Sequence, residues 1–459
     1  MTDSARAVAA PPSKSLSHRK IITSALAKGV STLSNVLESE DTERTMSILS
    51  LAGAKIVRKG KGAFEITGLG AHAATTADNG GKTPLSCCLG ESGTSARLLT
   101  AVLATLSGTF YLHGAPRLHE RPMRDLFATL TKLGASFEYM EKNEHLPVTL
   151  RTTGLAQGCD GAFLPLSCDV SSQFLSGLLL AAPRTATGLR LLLAGNKAVS
   201  WPYVSLTLQA LADARCMFTV EILGEDDIWR TVDWHALQTA IPYRTRFTVP
   251  RGAYEPLLGA SGTVEGDYSG ASYLLAAGAV GPNPVTVTGL SPNSLQGDAA
   301  ILDILRAMGA NVSWSAVSGH DAAVTVSPGK LTGVTLDMSA CPDLVPTVAV
   351  LAALAQGETR ITGVAHLAQK ESDRLAAPAQ ELAKIGCRVT VAADGLTISP
   401  ATGQKPGGGI EFSAHNDHRM AMSLALLKLA GIDVRLDNPA CVAKSFPDFW
   451  NVWEKLEIS

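Results

Sequence analysis

The segment ALAKGVSTLSNV (residues 25–36) reads as the end of an alanine-rich helix, a glycine, and then a strand in which apolar and polar residues alternate. The phrase recurs as ATLSGTFYLHGA (104–115), AAPRTATGLRLLLAG (181–195), GAVGPNPVTVTG (278–289), AALAQGETRITGV (352–364) and LKLAGIDVRLDN (427–438). Its glycine falls at Gly29, Gly108, Gly188, Gly281, Gly357 and Gly431, in steps of 79, 80, 93, 76 and 74 residues. A second phrase interleaves with the first: LSLAGAKIV (49–57), LTKLGASFEY (130–139), LQALADARCMFTV (208–220), LRAMGANVSW (305–314) and LAKIGCRVTV (382–391). Gly53, Gly134, Gly309 and Gly386 suit the left-handed residue that closes a helix, and the β-branched residues that follow suit a strand. Each repeat therefore holds two helices and several strands. Such repeats are too small to bury their own faces and must share helical cores, which makes two sets of three the natural grouping. The longest step carries its extra length in the polar, Trp-containing stretch from 217 to 262, where the domain boundary is expected.

Composition narrows the function. The chain has 459 residues, 46% hydrophobic and 17% charged, which is a globular and not a disordered balance. A net charge of −2 excludes a broad electrostatic footprint for nucleic acid or an anionic membrane, so any anionic ligand must be held by a local cluster of cations. No apolar run reaches the ~18–20 residues of a membrane span, and MTDSARAVAAPPSKS lacks the apolar core of a signal peptide, so the expected location is cytoplasmic. Cys87, Cys88, Cys159, Cys168, Cys216, Cys341, Cys387 and Cys441 are dispersed without a CxxC pair and read as buried thiols, with no metal expected. No GxxxxGK[ST] loop, GxSxG elbow or HExxH pair is present.

The starts of the six alanine-rich helices carry the chemistry. They read Ser13-Lys14-Ser15…Arg19, Glu91-Ser92-Gly93-Thr94…Arg97, Ser171-Ser172-Gln173, Glu265-Gly266-Asp267, Pro342-Asp343 and Asn416-Asp417-His418-Arg419. Free N–H groups and the positive dipole end at a helix start attract phosphate and carboxylate. Simple capping would explain Ser13, Ser92, Ser171, Asp267, Asp343 and Asp417 one at a time. It leaves Lys14, Arg19, Arg97 and Arg419 without a reason. Three further cationic segments add Arg121, the Lys370-Glu371…Arg374 run, and Lys444. Taken together these residues imply a polyanionic ligand in a cleft between two halves.

The motifs PPSKSLSHR, GESGTSARLL, HERPM, VSSQF, VSWPY, VEGDYSGASY, PDLVPT, QKESDR, NDHRMAM and AKSFPD, in this order from about residue 11 to 450, resemble those of the 5-enolpyruvylshikimate-3-phosphate synthase family. The resemblance implies an α/β enolpyruvyl transferase fold of two pseudo-symmetric domains, each of three βαβαββ units packed around shared helices. The domains expected are 14–262, on the shikimate 3-phosphate side, and 1–13 with 263–459, carrying the catalytic Asp and much of the phosphoenolpyruvate grip. It implies transfer of the enolpyruvyl group of phosphoenolpyruvate to the 5-hydroxyl of shikimate 3-phosphate, with release of phosphate, in aromatic amino-acid synthesis and without cofactor. Shikimate 3-phosphate would be held by Lys14, Ser15, Arg19, Ser171, Ser172, Gln173, Ser200, Asp343 and Lys370. Phosphoenolpyruvate would be held by Lys14, Gly93, Arg121, Gln173, Arg374, Arg419 and Lys444, with Arg97 supporting the Gly93 loop. Asp343 would be the principal base, Glu371 the second carboxylate, and Lys14 the cation shared by both substrates. A monomer is the family-level expectation, and glycine at 93 implies sensitivity to glyphosate in the phosphoenolpyruvate site.

Several positions depart from the family pattern. Pro12 replaces a glycine, Glu91 stands where Asn is common, His366 where Asn is frequent, Ala368 where a basic residue is frequent, and Trp201 where a basic residue is frequent. Trp201 is placed to stack under the substrate ring. The sister transferase acting on UDP-N-acetylglucosamine carries a reactive Cys in its loop, and this chain has none between Cys88 and Cys159. A non-catalytic binding relative is the alternative from another class, against which stand Lys14, Arg121, Asp343, Glu371, Arg374, Arg419 and Lys444. The related RNA 3′-phosphate cyclisation fold is disfavoured by the net charge.

Overall fold

A computed structural model describes residues 6–70, 83–155, 161–315, 322–401 and 408–457; Cys159 lies outside the described residues. The chain divides into two compact units, Lys14–Val264, and Met1–Ser13 with Glu265–Ser459.

In the unit Lys14–Val264 the second repeat shows the full pattern. Strand Leu85–Cys88 leads into helix Gly93–Ala104 and strand Ser107–His113; helix Arg124–Lys132 then precedes strands Ser136–Tyr139 and Val148–Thr153. Leu85–Cys88 pairs parallel with Ser107–His113, which pairs antiparallel with Val148–Thr153, and Ser136–Tyr139 closes the far edge. The third repeat repeats this order around helices Gln173–Ala181 and Pro202–Asp213. The stretch from 217 to 262 is no linker: strands Thr219–Leu223 and Thr245–Val249 complete the third sheet, and Trp229–Thr231 adds an edge strand to it. The first repeat, with helices Lys14–Leu26 and Glu40–Leu51, has no leading strand of its own among the described residues. The chain at 257–264 runs beside its strand Val30–Leu33 instead: Thr32 N–H donates to Leu257 O at 2.9 Å and Val264 N–H to Ser34 O at 3.0 Å.

In the other unit Arg6–Ala9 is the leading strand, parallel to Val285–Thr288. The fourth and fifth repeats are complete, around helices Tyr268–Val280, Ile301–Ala307, Val345–Leu354 and Ala376–Ala383. The sixth departs from the expected βαβαββ order. It consists of Ile410–Phe412, helix His418–Leu429, Val434–Leu436 and helix Phe449–Glu457, with no closing strand pair among the described residues.

The helices that end in the first phrase are the cores. Tyr268–Val280, Val345–Leu354 and His418–Leu429 pack against one another and are buried almost throughout, as expected of helices without a polar face. Where they meet, Ser272 Oγ lies 3.3 Å from Thr347 Oγ1, which lies 3.3 Å from Ser423 Oγ, so three buried hydroxyls satisfy one another. Inward-facing Val285, Val287, Ile361, Ile398 and Phe412 of the sheets join the same apolar cluster.

Five of the six punctuating glycines have positive φ; Gly281 does not, at −77°, and ends its helix in extended backbone. The left-handed turns differ in how much room they leave. A Cβ on Gly188 (φ +79°) would sit 2.3 Å from Val249 O, whereas one on Gly431 (φ +83°) would meet nothing within 4 Å. Gly431→Ala should cost about 1 kcal/mol from backbone strain alone. Gly188→Ala should cost clearly more in the same denaturant titration; equal costs would mean that the contact with Val249 is not rigid.

Candidate active site

The first core helix presents Lys14 and Ser15 in its first turn because Arg19, one turn on, ties that turn down. Arg19 is 1% exposed; its Nη1 donates to Ser15 O at 2.8 Å, its Nε to Thr207 Oγ1 at 2.8 Å and its Nη2 to Tyr203 O at 2.8 Å. Burial lowers its pKa to about 10, which still leaves it charged at neutral pH. Lys14 Nζ pairs with Asp41 Oδ2 at 3.2 Å. Beneath it, His18 Nδ1 meets Thr45 Oγ1 at 2.9 Å, Thr45 meets Ser95 Oγ at 2.8 Å, and Ser95 donates to Ser92 Oγ at 2.8 Å. Burial pushes the His18 pKa down to about 3, so this chain of hydrogen bonds is built on a neutral imidazole. It ties the start of Lys14–Leu26 to the start of Gly93–Ala104.

At that second start, Ser92 caps the helix by accepting from Ser95 N–H at 3.2 Å. Gly93 is buried against Arg121: a Cβ at 93 would lie 2.4 Å from Arg121 Nη1 and 2.6 Å from its Cζ. Arg97 donates to Gln173 Oε1 at 3.1 Å, and Gln173 Nε2 donates to Thr94 Oγ1 at 3.0 Å. Gln173 is thereby locked between the second and third repeats. Ser171 Oγ accepts from Gln173 N–H at 3.3 Å, and Ser172 Oγ donates to Ser200 O at 3.1 Å. The structure thus brings Ser171, Ser172, Gln173 and Ser200 together, and separately Gly93 with Arg121.

In the other unit, Asp343, Glu371, Arg374, Arg419 and Lys444 form one cluster. Arg374, with a side chain 2% exposed, reaches three carboxylates: Nη1 to Asp343 Oδ1 at 2.9 Å, Nη2 to Glu371 Oε2 at 2.9 Å, and Nε to Asp417 Oδ2 at 2.7 Å. Arg419 Nη2 takes the second Asp343 oxygen at 2.8 Å, and Lys444 Nζ lies 3.7 Å from Glu371 Oε1. Burial alone would raise the Asp343 pKa, but Arg419, Arg374 and Lys370 together outweigh it and hold the carboxyl well below the usual range. Burial likewise opposes the charge on Arg374, and Asp417, Glu371 and Asp343 more than restore it.

Capping accounts for only part of the helix-start pattern. Asp267 and Asp417 cap their helices, accepting from Ser269 N–H at 2.8 Å and Arg419 N–H at 2.9 Å. Ser171 Oγ accepts from Gln173 N–H at the start of its helix, whereas Asp343 sits in the turn Pro342–Leu344 ahead of its helix and points at two guanidiniums. Three participants were not among the expected site residues. Asp41 and Glu381 have no sequence signal beyond being acidic residues on helices. Asp298 lies in the turn Gly297–Ala300, bonded to Ser269, whose Oγ also accepts from Arg419. Glu381 is 2% exposed and holds His415 Nε2 at 3.0 Å and Ser413 N–H at 2.9 Å, bracing the left-handed pair His415 and Asn416 that precedes Asp417. Trp201 is a correction. It is 3% exposed, lies 6.2 Å from the Phe247 ring and donates Nε1–H to Leu237 O at 3.0 Å, so it is a buried support and no stacking platform.

Among the described residues no group of three or more His, Cys, Asp or Glu is arranged to hold a metal, and no helix is long and apolar enough to cross a membrane. Burial pushes the thiols of Cys87, Cys168, Cys216, Cys341 and Cys441 up to about 12.

Six repeats around buried core helices, three of which carry cations at their starts (Lys14 and Arg19, Arg97, Arg419), define an enolpyruvyl transferase fold. The chain superposes with a TM-score of 0.72 on EPSP synthase from Acinetobacter baumannii (24% identity, 98% of this chain and 95% of that one). It superposes with 0.67 on the enolpyruvyl transferase NikO from Streptomyces tendae (20% identity, 100% and 96%). The sequence is more specific than the fold. A sequence model of EPSP synthase (3-phosphoshikimate 1-carboxyvinyltransferase) matches residues 3–229 and 239–453, and the chain belongs to that family. Relatives named 3-phosphoshikimate 1-carboxyvinyltransferase include those of Paraburkholderia phytofirmans (38% identity over 452 residues, 96% of this chain and 94% of that protein) and Burkholderia multivorans (37% over 449 residues, 96% and 94%).

Two outcomes follow from the geometry. Gly93→Ala should displace the Arg121 guanidinium and weaken binding of phosphoenolpyruvate while leaving that of shikimate 3-phosphate nearly unchanged, read as the two KM values; equal changes in both would discount the Arg121 contact. Burial, helped by the charge on Asp343 and opposed by Arg419, raises the Asp298 pKa to about 7. A carboxyl raised in this way stabilises the fold fully below the unfolded Asp range near ~4 and loses that contribution as pH climbs through about 7. Asp298→Asn should therefore gain in Tm relative to wild type between pH 4 and pH 8, and a difference that stays flat with pH would contradict the shift.

Proposed function

We infer that the chain transfers the enolpyruvyl group of phosphoenolpyruvate to the 5-hydroxyl of shikimate 3-phosphate and releases phosphate. Membership of the family supports the reaction, and the observation that carries the mechanism is Asp343 held between Arg374 and Arg419 at 2.9 and 2.8 Å. Shikimate 3-phosphate is bound by Lys14, Ser15, Arg19, Ser171, Ser172, Gln173, Ser200, Asp343 and Lys370. Phosphoenolpyruvate is gripped by Lys14, the Gly93 turn, Arg121, Gln173, Arg374, Arg419 and Lys444. Its two anionic groups need several cations, and forked guanidiniums match both carboxylate and phosphate.

Asp343 takes the proton from the 5-hydroxyl as that oxygen adds to C2 of the enol phosphate, whose methylene carbon takes up a proton. A carboxylate so strongly stabilised is a weak base in the free protein. The incoming anions compete for Arg374 and Arg419, which weakens the field at Asp343 and raises its proton affinity when the substrate is present. Once protonated, Asp343 releases both guanidiniums to the phosphate, which leaves as the tetrahedral intermediate collapses. Glu371 and Lys370 serve the proton that goes to the methylene carbon and is later removed from it.

The protein works as a monomer in the cytoplasm without metal or organic cofactor, has no nucleic-acid or membrane partner, and is open to competition by glyphosate at the phosphoenolpyruvate site. Phosphate release from purified protein, measured with both substrates and with each alone, tests the reading: release must need both. Release with neither pair, but retained binding of shikimate 3-phosphate, would make the chain a binding relative. Asp343→Asn should keep shikimate 3-phosphate affinity within a few-fold while turnover falls by orders of magnitude, and near-wild-type turnover would remove Asp343 from the role of base.

A further inference from the structure

The family pattern matches the chain on either side of residues 230–238 and breaks there. That segment, RTVDWHALQ, is ordered by its own chemistry. Arg230 and Thr231 pair with Ile222 and Glu221 at the edge of the third sheet. Asp233 then accepts His235 N–H at 3.0 Å and opens the turn Trp234–Ala236. Trp234 stacks on His235 with centroids 3.7 Å apart and meets the edge of Phe218 at 5.8 Å. The turn ends at Leu237, and the Leu237 carbonyl receives the indole N–H of Trp201 at 3.0 Å.

Trp201 is the residue after Ser200, and Ser200 is one of the few non-glycine residues with positive φ, at +55°. Left-handed backbone at a serine is unfavourable and persists only where its surroundings impose it. The impositions are visible here. Ser200 O accepts from Ser172 Oγ at 3.1 Å and from Tyr203 N–H at 3.2 Å, while the Trp201 indole is trapped between Phe247 and the Leu237 carbonyl. The ring is therefore a peg whose position sets the backbone one residue upstream.

We propose that residues 230–238 form a strap that acts through Trp201 to hold Ser200 and Ser172 in the geometry that receives shikimate 3-phosphate, making Trp201 and the strap positioning elements for that substrate. The break in the family pattern at 230–238 and the tryptophan at 201 are then one feature of this chain, a donor and the segment that supplies its acceptor. The proposal rests on the assignment of Ser172 and Ser200 to shikimate 3-phosphate made above.

Two variants test it, with shikimate 3-phosphate affinity by calorimetry, both KM values from phosphate release, and Tm. Trp201→Phe keeps a ring beside Phe247 and removes the N–H donor together with the fused second ring. Trp234→Ala loosens the strap from a half-buried position and spares Trp201 itself. Each should weaken shikimate 3-phosphate binding several-fold, with the KM for phosphoenolpyruvate and the turnover at saturation within about twofold of wild type, the resolution of such assays. Unchanged shikimate 3-phosphate affinity in both variants would overturn the strap, as would parallel losses for both substrates tracking a fall in Tm. A wild-type protein that binds no shikimate 3-phosphate would instead overturn the assignment on which the strap rests.

Discussion

The cluster of Asp343, Glu371 and Asp417 depends on one buried guanidinium. Arg374 has almost no contact with solvent, yet it reaches Asp343, Glu371 and Asp417, which come from the start of one core helix, from its own loop, and from the cap of another core helix. A buried charge is tolerated only when paired, and breaking such a pair by removing one partner costs about 3–5 kcal/mol. Removing Arg374 would leave three carboxylates to repel one another. The same bonds that settle this debt give the site its geometry, since each carboxylate can occupy only the place that its nitrogen on Arg374 allows. Asp417 does two jobs with one carboxyl group, capping the helix that carries Arg419 and receiving Nε of Arg374. Helix start and cation are thereby aligned by a single side chain.

In the unit Lys14–Val264 neutral and charged groups share the corresponding role. Hydroxyls of Thr45, Ser92 and Ser95 and the uncharged His18 link two helix starts, while Lys14 pairs with Asp41 and the buried Arg19 ties its turn. On the proposed mechanism the denser ionic clamp around Asp343 serves a carboxylate whose proton affinity must change when anions arrive.

Much of this was readable in the chain. The helix–glycine–strand phrase is local, set by cap chemistry and strand propensity, and all six occurrences fold as helix, turn and strand. Arg419 stood out because a cation beside a cap has no capping purpose, Arg374 and Lys444 stood out as cationic segments, and the roles of Asp343 and Glu371 came from the family resemblance. What escaped reading was tertiary. Helix Lys14–Leu26 looks half polar, yet His18, Arg19 and Lys20 are all buried because Thr45, Tyr203, Thr207 and Asp213 supply their partners from other elements. Glu381 and Asp298 look like ordinary surface acids. The role of Trp201 was misread because the acceptor for its indole comes from Leu237, well downstream, and only folding brings the two together. Nothing in the sixth copy of the phrase signals that no closing strand pair follows it among the described residues.

The placement of the leading strand Arg6–Ala9 bears on how the chain can be made. Arg6–Ala9 is synthesised before Lys14–Val264, but its parallel partner Val285–Thr288 exists only after the whole of that unit has been made. Until then a short strand with free edges must wait, while the intervening unit acquires its own missing edge from residues 257–264 at the end of its span. One unit cannot close its first sheet before Val285–Thr288 is made, and the other cannot cover its first repeat before residues 257–264 are made, so synthesis alone does not release a completed half early. The entropic cost of joining such distant ends grows only slowly with the length between them, which makes the arrangement slow to assemble more than unstable once assembled.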